Sequence, residues 1–184
     1  MSRGQLLLDL EVAQAQGRED FMPGPTNTAA LTAIDNSATW PDHRLMIVGP
    51  HGSGRSHLLR IWAQQSGAVY LTGDALDADA LALAASAPAV AIDDADAMAG
   101  NADAEEVAFH IMNGCANTQR SILLSALDTP AAWGVQLPDL LSRLQGCLQV
   151  KLELPDDGLL HMVLVKLCDD RQLAVSAEVL QYLQ

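Results

Sequence analysis

Leu45-Met46-Ile47-Val48, followed by Gly49-Pro50-His51-Gly52-Ser53-Gly54-Arg55-Ser56 and then His57-Leu58-Leu59, is the stretch that decides the fold. It predicts a buried strand, a glycine-rich turn and the opening of a helix. Glycine admits backbone angles and close approaches that a Cβ forbids. The successive N–H groups of such a turn converge at the positive end of the next helix, which makes a cradle for phosphate. Gly49 through His57 are therefore candidate nucleotide-binding positions, and the Ser56 hydroxyl stands where Mg2+ would be held. Arg55 occupies the place usually taken by lysine. It keeps the charge but brings a planar, bulkier fork.

Working outward, Ala89-Val90-Ala91-Ile92 is an apolar strand that delivers Asp93 and Asp94 at its C-terminal end. Open parallel sheets bind ligands at that edge. Asp93 is the candidate Mg2+ ligand, and Asp94 the candidate to polarise a water aimed at a terminal phosphate. The alternative to the first motif is a plain glycine-rich turn with an empty pocket, disfavoured by the readable strand and helix around it. The alternative to the second is an acidic loop. Together the two motifs indicate a P-loop NTPase-type site. The next strand closes as Leu123-Leu124-Ser125-Ala126-Leu127-Asp128, where Ser125 or Asp128 could sense the γ-phosphate. Arg143 sits among leucines in Leu137-Pro138-Asp139-Leu140-Leu141-Ser142-Arg143-Leu144. It reads either as a surface charge snorkelling over apolar neighbours or as an arginine finger for a neighbour's nucleotide.

The rest of the chain supplies alternating elements. Apolar spacing predicts helices over 29–40, 56–65, 74–85, 104–116 and 137–144, and strands over 44–48, 68–71, 89–92, 121–126 and 148–154. Alternation of this kind argues for an α/β fold with a parallel sheet covered on both faces. Residues 1–20 divide into the leucine-rich Gln5-Leu6-Leu7-Leu8-Asp9-Leu10 and a polar linker. The leucines either pack on their own domain or form a linear motif, Leu8 and Leu10 entering a partner's groove with the Gln5 amide at its rim. The nucleotide-binding domain is expected over 21–155. Asp156-Asp157 start a helix to about Asp170, Ser176 caps another, and 156–184 is expected to be the beginning of a helical lid.

Composition narrows the function further. Ten Lys and Arg stand against 23 Asp and Glu, a formal net charge of −13. DNA binding rests largely on basic side chains neutralising phosphates, so direct DNA binding is not expected. No apolar run approaches the roughly 18–20 residues that span a membrane, and Met1-Ser2-Arg3-Gly4-Gln5 lacks a signal-peptide core. A cytoplasmic protein without membrane contact is the expectation. Cys115, Cys147 and Cys168 are too widely spaced for a ligand pattern and read as reduced, mostly buried thiols.

With these pieces in order the sequence resembles the DnaA-related AAA+ family: the bacterial replication initiator DnaA and, more closely, its short relative Hda. Three stretches carry the resemblance: Gly52 to Leu59, Leu137 to Leu144, and Gln5 to Leu10. The resemblance implies a five-stranded core in the order 5-1-4-3-2 followed by a helical lid, whose sensor arginine would lie beyond Gln184. Arginine at position 55 is then a family trait, and Arg143 takes the arginine-finger role. Gln5, Leu6, Leu8 and Leu10 become contacts to the DNA polymerase III sliding clamp, with Asp9 where the family often has proline. Phe21 and Asn27 fall in the segment that lines the adenine pocket. The implied mechanism docks the N-terminal motif on the clamp, keeps ADP or ATP with Mg2+ in the loop site, and uses Arg143 to stimulate hydrolysis of ATP held by DnaA. A robust stand-alone ATPase is not expected, and self-association is left open. Two rival readings are an ATPase of the helicase-loader type that hydrolyses its own ATP, and an interaction module that has lost nucleotide binding.

Overall fold

The computed structural model describes Arg18 and residues 21–170. Five strands, β1 (Arg44–Val48), β2 (Val69–Thr72), β3 (Val90–Asp93), β4 (Ile122–Ala126) and β5 (Leu148–Lys151), form one sheet in the order β2-β3-β4-β1-β5. Every pairing is parallel. The helices between and around them are α1 (Thr28–Asp35), α2 (Arg55–Ser66), α3 (Ala78–Ser86), α4 (Ala102–Asn117), α5 (Pro138–Gln145) and α6 (Asp157–Asp170). This is the expected strand order.

Period-two alternation along each strand builds the two cores. Leu45, Ile47, Ala91 and Leu123 face α1, α2, Trp40 and Trp62. Met46, Val48, Val90, Ile92, Ile122 and Leu124 face α3, α4 and α5. The central strands are buried on both sides, which is why they read as unbroken apolar runs. Both tryptophans are buried, with ring centroids 5.3 Å apart. No helix among the described residues is long and apolar enough to cross a membrane.

Local chemistry sets the element ends, and here the structure departs from the sequence reading. The first helix was expected to reach Trp40 but stops at Asp35. The Asn36 side chain turns back to the Thr32 carbonyl (2.7 Å), and the Trp40 indole N–H reaches the Ala33 carbonyl (2.7 Å). The helix expected from Asp74 begins at Ala78 because Asp77 caps it, accepting from the Ala80 N–H at 2.9 Å. The last strand ends at Lys151, not Leu154, yet Leu152 N–H still donates to the Val48 carbonyl (2.8 Å). Cys115, Cys147 and Cys168 are free thiols; burial pushes Cys147 up to about 11. A thiol held that far from its thiolate is an inert core group.

Candidate functional site

The site starts with the strand alternation that turns Asp93 toward α2. Asp93 ends β3 beside Thr72 of β2, and Ile92 lies level with Leu124, so Ser125 comes next to it. The Asp93 carboxylate is 4% exposed. It accepts hydrogen bonds from the Tyr70 hydroxyl, the Ser125 hydroxyl, the Asp94 N–H (3.1 Å) and the Ser56 hydroxyl. Burial alone would raise its pKa. The four donors outweigh burial and hold Asp93 below the usual carboxylate range. Tyr70 moves the other way: burial, then its bond to Asp93 and the charge of that group, push the phenol well up. The result is a buried carboxylate that stays ionised, next to a serine hydroxyl at the start of α2, which is suitable chemistry for Mg2+.

The glycine turn connects β1 to α2. Gly54 has φ 95° and opens α2, its carbonyl accepting from Leu58 N–H at 3.0 Å. At Gly49 a Cβ would lie 2.3 Å from the Leu152 carbonyl oxygen, so only glycine fits between β1 and the segment after β5. Pro50, His51 and Gly52 are exposed at the tip. Arg55, the first residue of α2, is 5% exposed, and its Nη2 pairs with Asp94 Oδ1 at 3.0 Å. Asp94 has left-handed backbone angles, φ 44° and ψ 50°. Its N–H donates to Ser125 Oγ (2.9 Å) as well as to Asp93. Two polar atoms of the turn, Ser53 Oγ and Arg55 Nη1, are buried with no hydrogen-bond partner among the described residues. Buried donors left this way are rare. Their placement on a glycine loop at a helix start fits a phosphate.

Of the two residues expected near the adenine, Phe21 borders the glycine turn. Phe21 is buried, lies 3.1 Å from where a Gly54 Cβ would be, and stands edge-on to His57 with centroids 5.3 Å apart. Asn27 uses its side chain to close the Met22–Gly24 turn, accepting from Gly24 N–H and donating to the Met22 carbonyl, both at 2.9 Å. Of the two sensor candidates, Ser125 belongs to the Asp93 cluster. Asp128 is exposed, and its carboxylate accepts from Thr129 N–H at 2.7 Å. Gln5, Leu6, Leu8 and Leu10 lie outside the described residues.

Arg143 sits elsewhere. Its guanidinium carbon lies 5.2 Å from the centre of the Phe109 ring, a cation–π distance. It opens on a cleft of about 460 Å³ lined by Arg44, Phe109, Asp139, Ser142 and Gly146. Arg44 begins β1, whereas the glycine turn follows its end. At about 3.3 Å per residue, the strand alone separates these two ends by roughly 13 Å. The arginine and the chain's own glycine turn therefore lie at opposite ends of β1.

Sequence reasoning missed two residues, Tyr70 and Glu105. Glu105 on α4 is 1% exposed and accepts from the N–H groups of Gly100 (2.8 Å), Gln136 (2.9 Å) and Leu137 (2.8 Å). Burial would raise its pKa, but these backbone donors lower it. It thus ties the turn after β3 to the segment that starts α5. A signal existed: the helical period that makes Ala104, Ala108, Ile111 and Met112 an inner stripe also puts Glu105 on it.

No protein-family model matches the chain. Several solved structures share its fold. DnaA from Aquifex aeolicus, bound to AMPPCP, is 21% identical with a TM-score of 0.77, covering 90% of this chain and 58% of that one. Domain III of the Thermotoga maritima DnaA is 23% identical with a TM-score of 0.79, covering 92% and 80%. RuvB from Thermotoga maritima is 15% identical with a TM-score of 0.62, covering 88% and 55%. The chain spans less than two thirds of the Aquifex structure it matches. At these identities the likeness is one of fold: the chain shares the five-stranded parallel α/β architecture of DnaA domain III.

Proposed function

We propose that this chain is an Hda-like regulator of replication initiation, which binds an adenine nucleotide and supplies Arg143 to ATP held by DnaA. Support for nucleotide binding comes from the unpartnered Ser53 Oγ and Arg55 Nη1 and from the AMPPCP carried by the Aquifex DnaA of the same fold. The backbone of Gly49–Ser56 would receive the phosphates, and Phe21 would border the base beside Asn27's turn. Ser56 and Asp93 would hold Mg2+, which when bound neutralises phosphate charge. Ser125 would fix both Asp93 and the Asp94 backbone. Docking on the DNA polymerase III sliding clamp falls to Gln5, Leu6, Leu8 and Leu10.

The observation that carries the in-trans reading is the position of Arg143. It lies beside Arg44, at the other end of β1 from its own glycine turn, partly exposed and steadied by Phe109. From there it serves a neighbouring molecule's nucleotide, not its own. The rival reading, a self-sufficient ATPase, draws on the ionised Asp93 cluster. Against it stands Asp94, whose carboxylate is paired with Arg55.

The test is ATP hydrolysis by DnaA with clamp loaded on DNA, with the full chain added as wild type, Arg143→Ala, or Gln5→Ala with Leu8→Ala. Wild type should accelerate turnover and both variants should fail. Arginine fingers of GTPase systems are worth about 10³–10⁵-fold, which sets the scale of the expected loss. Hydrolysis that needs no DnaA, ignores Arg143→Ala and disappears with Asp94→Ala would replace this reading with the ATPase.

A further inference from the structure

We propose that Asp94 is an internal counter-ion that competes with nucleotide phosphate for Arg55, and so sets how loosely the chain holds its nucleotide. The inference rests on the nucleotide-site reading above and deepens it.

A buried guanidinium needs a compensating charge, because desolvation of an unpaired ion is costly. Arg55 is 5% exposed, and among the described residues its ion pair is with Asp94. The pairing is built, not incidental. Asp94 holds a left-handed backbone that side-chain-bearing residues rarely adopt. Two acceptors pin its N–H, Ser125 Oγ and Asp93 Oδ1. From the other side, Gly73 packs so closely that a Cβ there would lie 2.3 Å from the Asp94 carbonyl oxygen. Strain kept in place by surrounding contacts is characteristic of functional positions. Here it fixes a backbone from which the carboxylate meets the cation of the glycine turn.

The donors of Arg55 divide in two. Nη2 is bound to Asp94, while Nη1 is buried without a partner among the described residues. A phosphate arriving at Nη1 meets a guanidinium already partly neutralised, with a carboxylate of its own sign across the fork. Arginine makes this division, since its fork presents separate donors where a lysine ammonium is one compact charge. The Asp94 side chain is about half exposed (51%), so it can yield to the phosphate at modest cost.

The experiment measures ADP affinity of the full chain by titration calorimetry; ADP is used so that hydrolysis contributes nothing. Wild type is compared with Asp94→Asn, Arg55→Met and the double variant. Asparagine keeps the size and tolerates the left-handed backbone while removing the charge. Asp94→Asn should tighten ADP binding at least about fivefold, the scale of an ion pair with one exposed partner. In the Arg55→Met background the same substitution should change nothing. A second readout guards against a marginally folded variant: without ADP, Asp94→Asn should melt below wild type, and ADP should raise its Tm by more. Unchanged or weaker ADP binding in Asp94→Asn, or an equal gain in the Arg55→Met background, overturns the proposal. Failure of wild type itself to bind ADP would instead remove the nucleotide-site reading, and the inference with it.

Discussion

Glu105→Gln is the substitution whose cost can be worked most directly from the geometry. In the native chain Oε1 accepts from Gly100 N–H (2.8 Å) and Gln136 N–H (3.1 Å), and Oε2 from Gln136 N–H (2.9 Å) and Leu137 N–H (2.8 Å). Glutamine keeps the size but offers one oxygen. Whichever way its amide is turned, an NH2 group then faces N–H donors, and at least one backbone donor in a site 1% exposed loses its acceptor. An unsatisfied buried donor costs about 1–3 kcal/mol, and bonds to charged groups contribute about 1.5–3 kcal/mol each. The expected loss is about 2–4 kcal/mol at pH 7. Urea unfolding followed by tryptophan fluorescence should show a lower midpoint with an unchanged slope. The pH dependence gives a second check. The folded pKa of Glu105 is depressed by its backbone donors. Its stabilisation is therefore present above the unfolded value of about 4.3 and lost as pH falls through the folded value. The gap between wild type and Glu105→Gln should be widest near neutrality and close in acid. A gap below about 0.5 kcal/mol at pH 7, within the usual range of surface substitutions, would refute the reasoning, as would a gap that persists unchanged into acid.

Gly49→Ala should cost more than about 2 kcal/mol, since its Cβ would meet backbone at Leu152; Gly146→Ala, with its nearest atoms at 3.5 Å, should stay within about 0.5 kcal/mol. Paired thermal melts compare them. Tyr70→Phe removes one donor from the ionised Asp93 and should destabilise by about 1.5–3 kcal/mol at pH 7. Asp93 is depressed in the folded chain, so that loss should shrink as pH falls through its folded value, read from urea midpoints across pH. Arg120→Met should loosen the end of α3, because Arg120 Nη1 donates to the Ala84 and Ala87 carbonyls, both at 2.6 Å. A loss of about 1–3 kcal/mol is expected, with faster amide exchange concentrated in α3.

The sequence was most legible where the physics is local. β1 is predicted at its observed bounds, because four apolar residues running into a glycine turn admit few other readings. Asp93 and Asp94 were legible for the same reason, as polar residues that end an apolar strand. Asn36 and Asp77 were harder: each moves a helix boundary through one side-chain bond that competes with continuing periodicity. Tyr70 was invisible because its partner stands one strand over, at a register that sequence does not state. Glu105 stood out only by its place on the inner stripe of α4; what it binds was not legible. Its partners at Gln136 and Leu137 become neighbours only after β4 has crossed back. Strand alternation sends Ser125 inward to Asp93, whereas Asp128 lies past the end of β4 and is exposed.

The strand order also has a consequence for how the molecule comes into being. β1 lies between β4 and β5, both made long after it in the chain. β2 and β3 can pair with each other as they emerge, but neither touches β1 as a sheet neighbour. An N-terminal fragment ending after β3 would carry β1 as an apolar segment with no strand beside it. Contacts so distant in sequence make folding slow, and unpaired apolar strands are what aggregation and chaperones recognise. The glycine turn is thus among the last parts of the sheet to acquire its surroundings during synthesis.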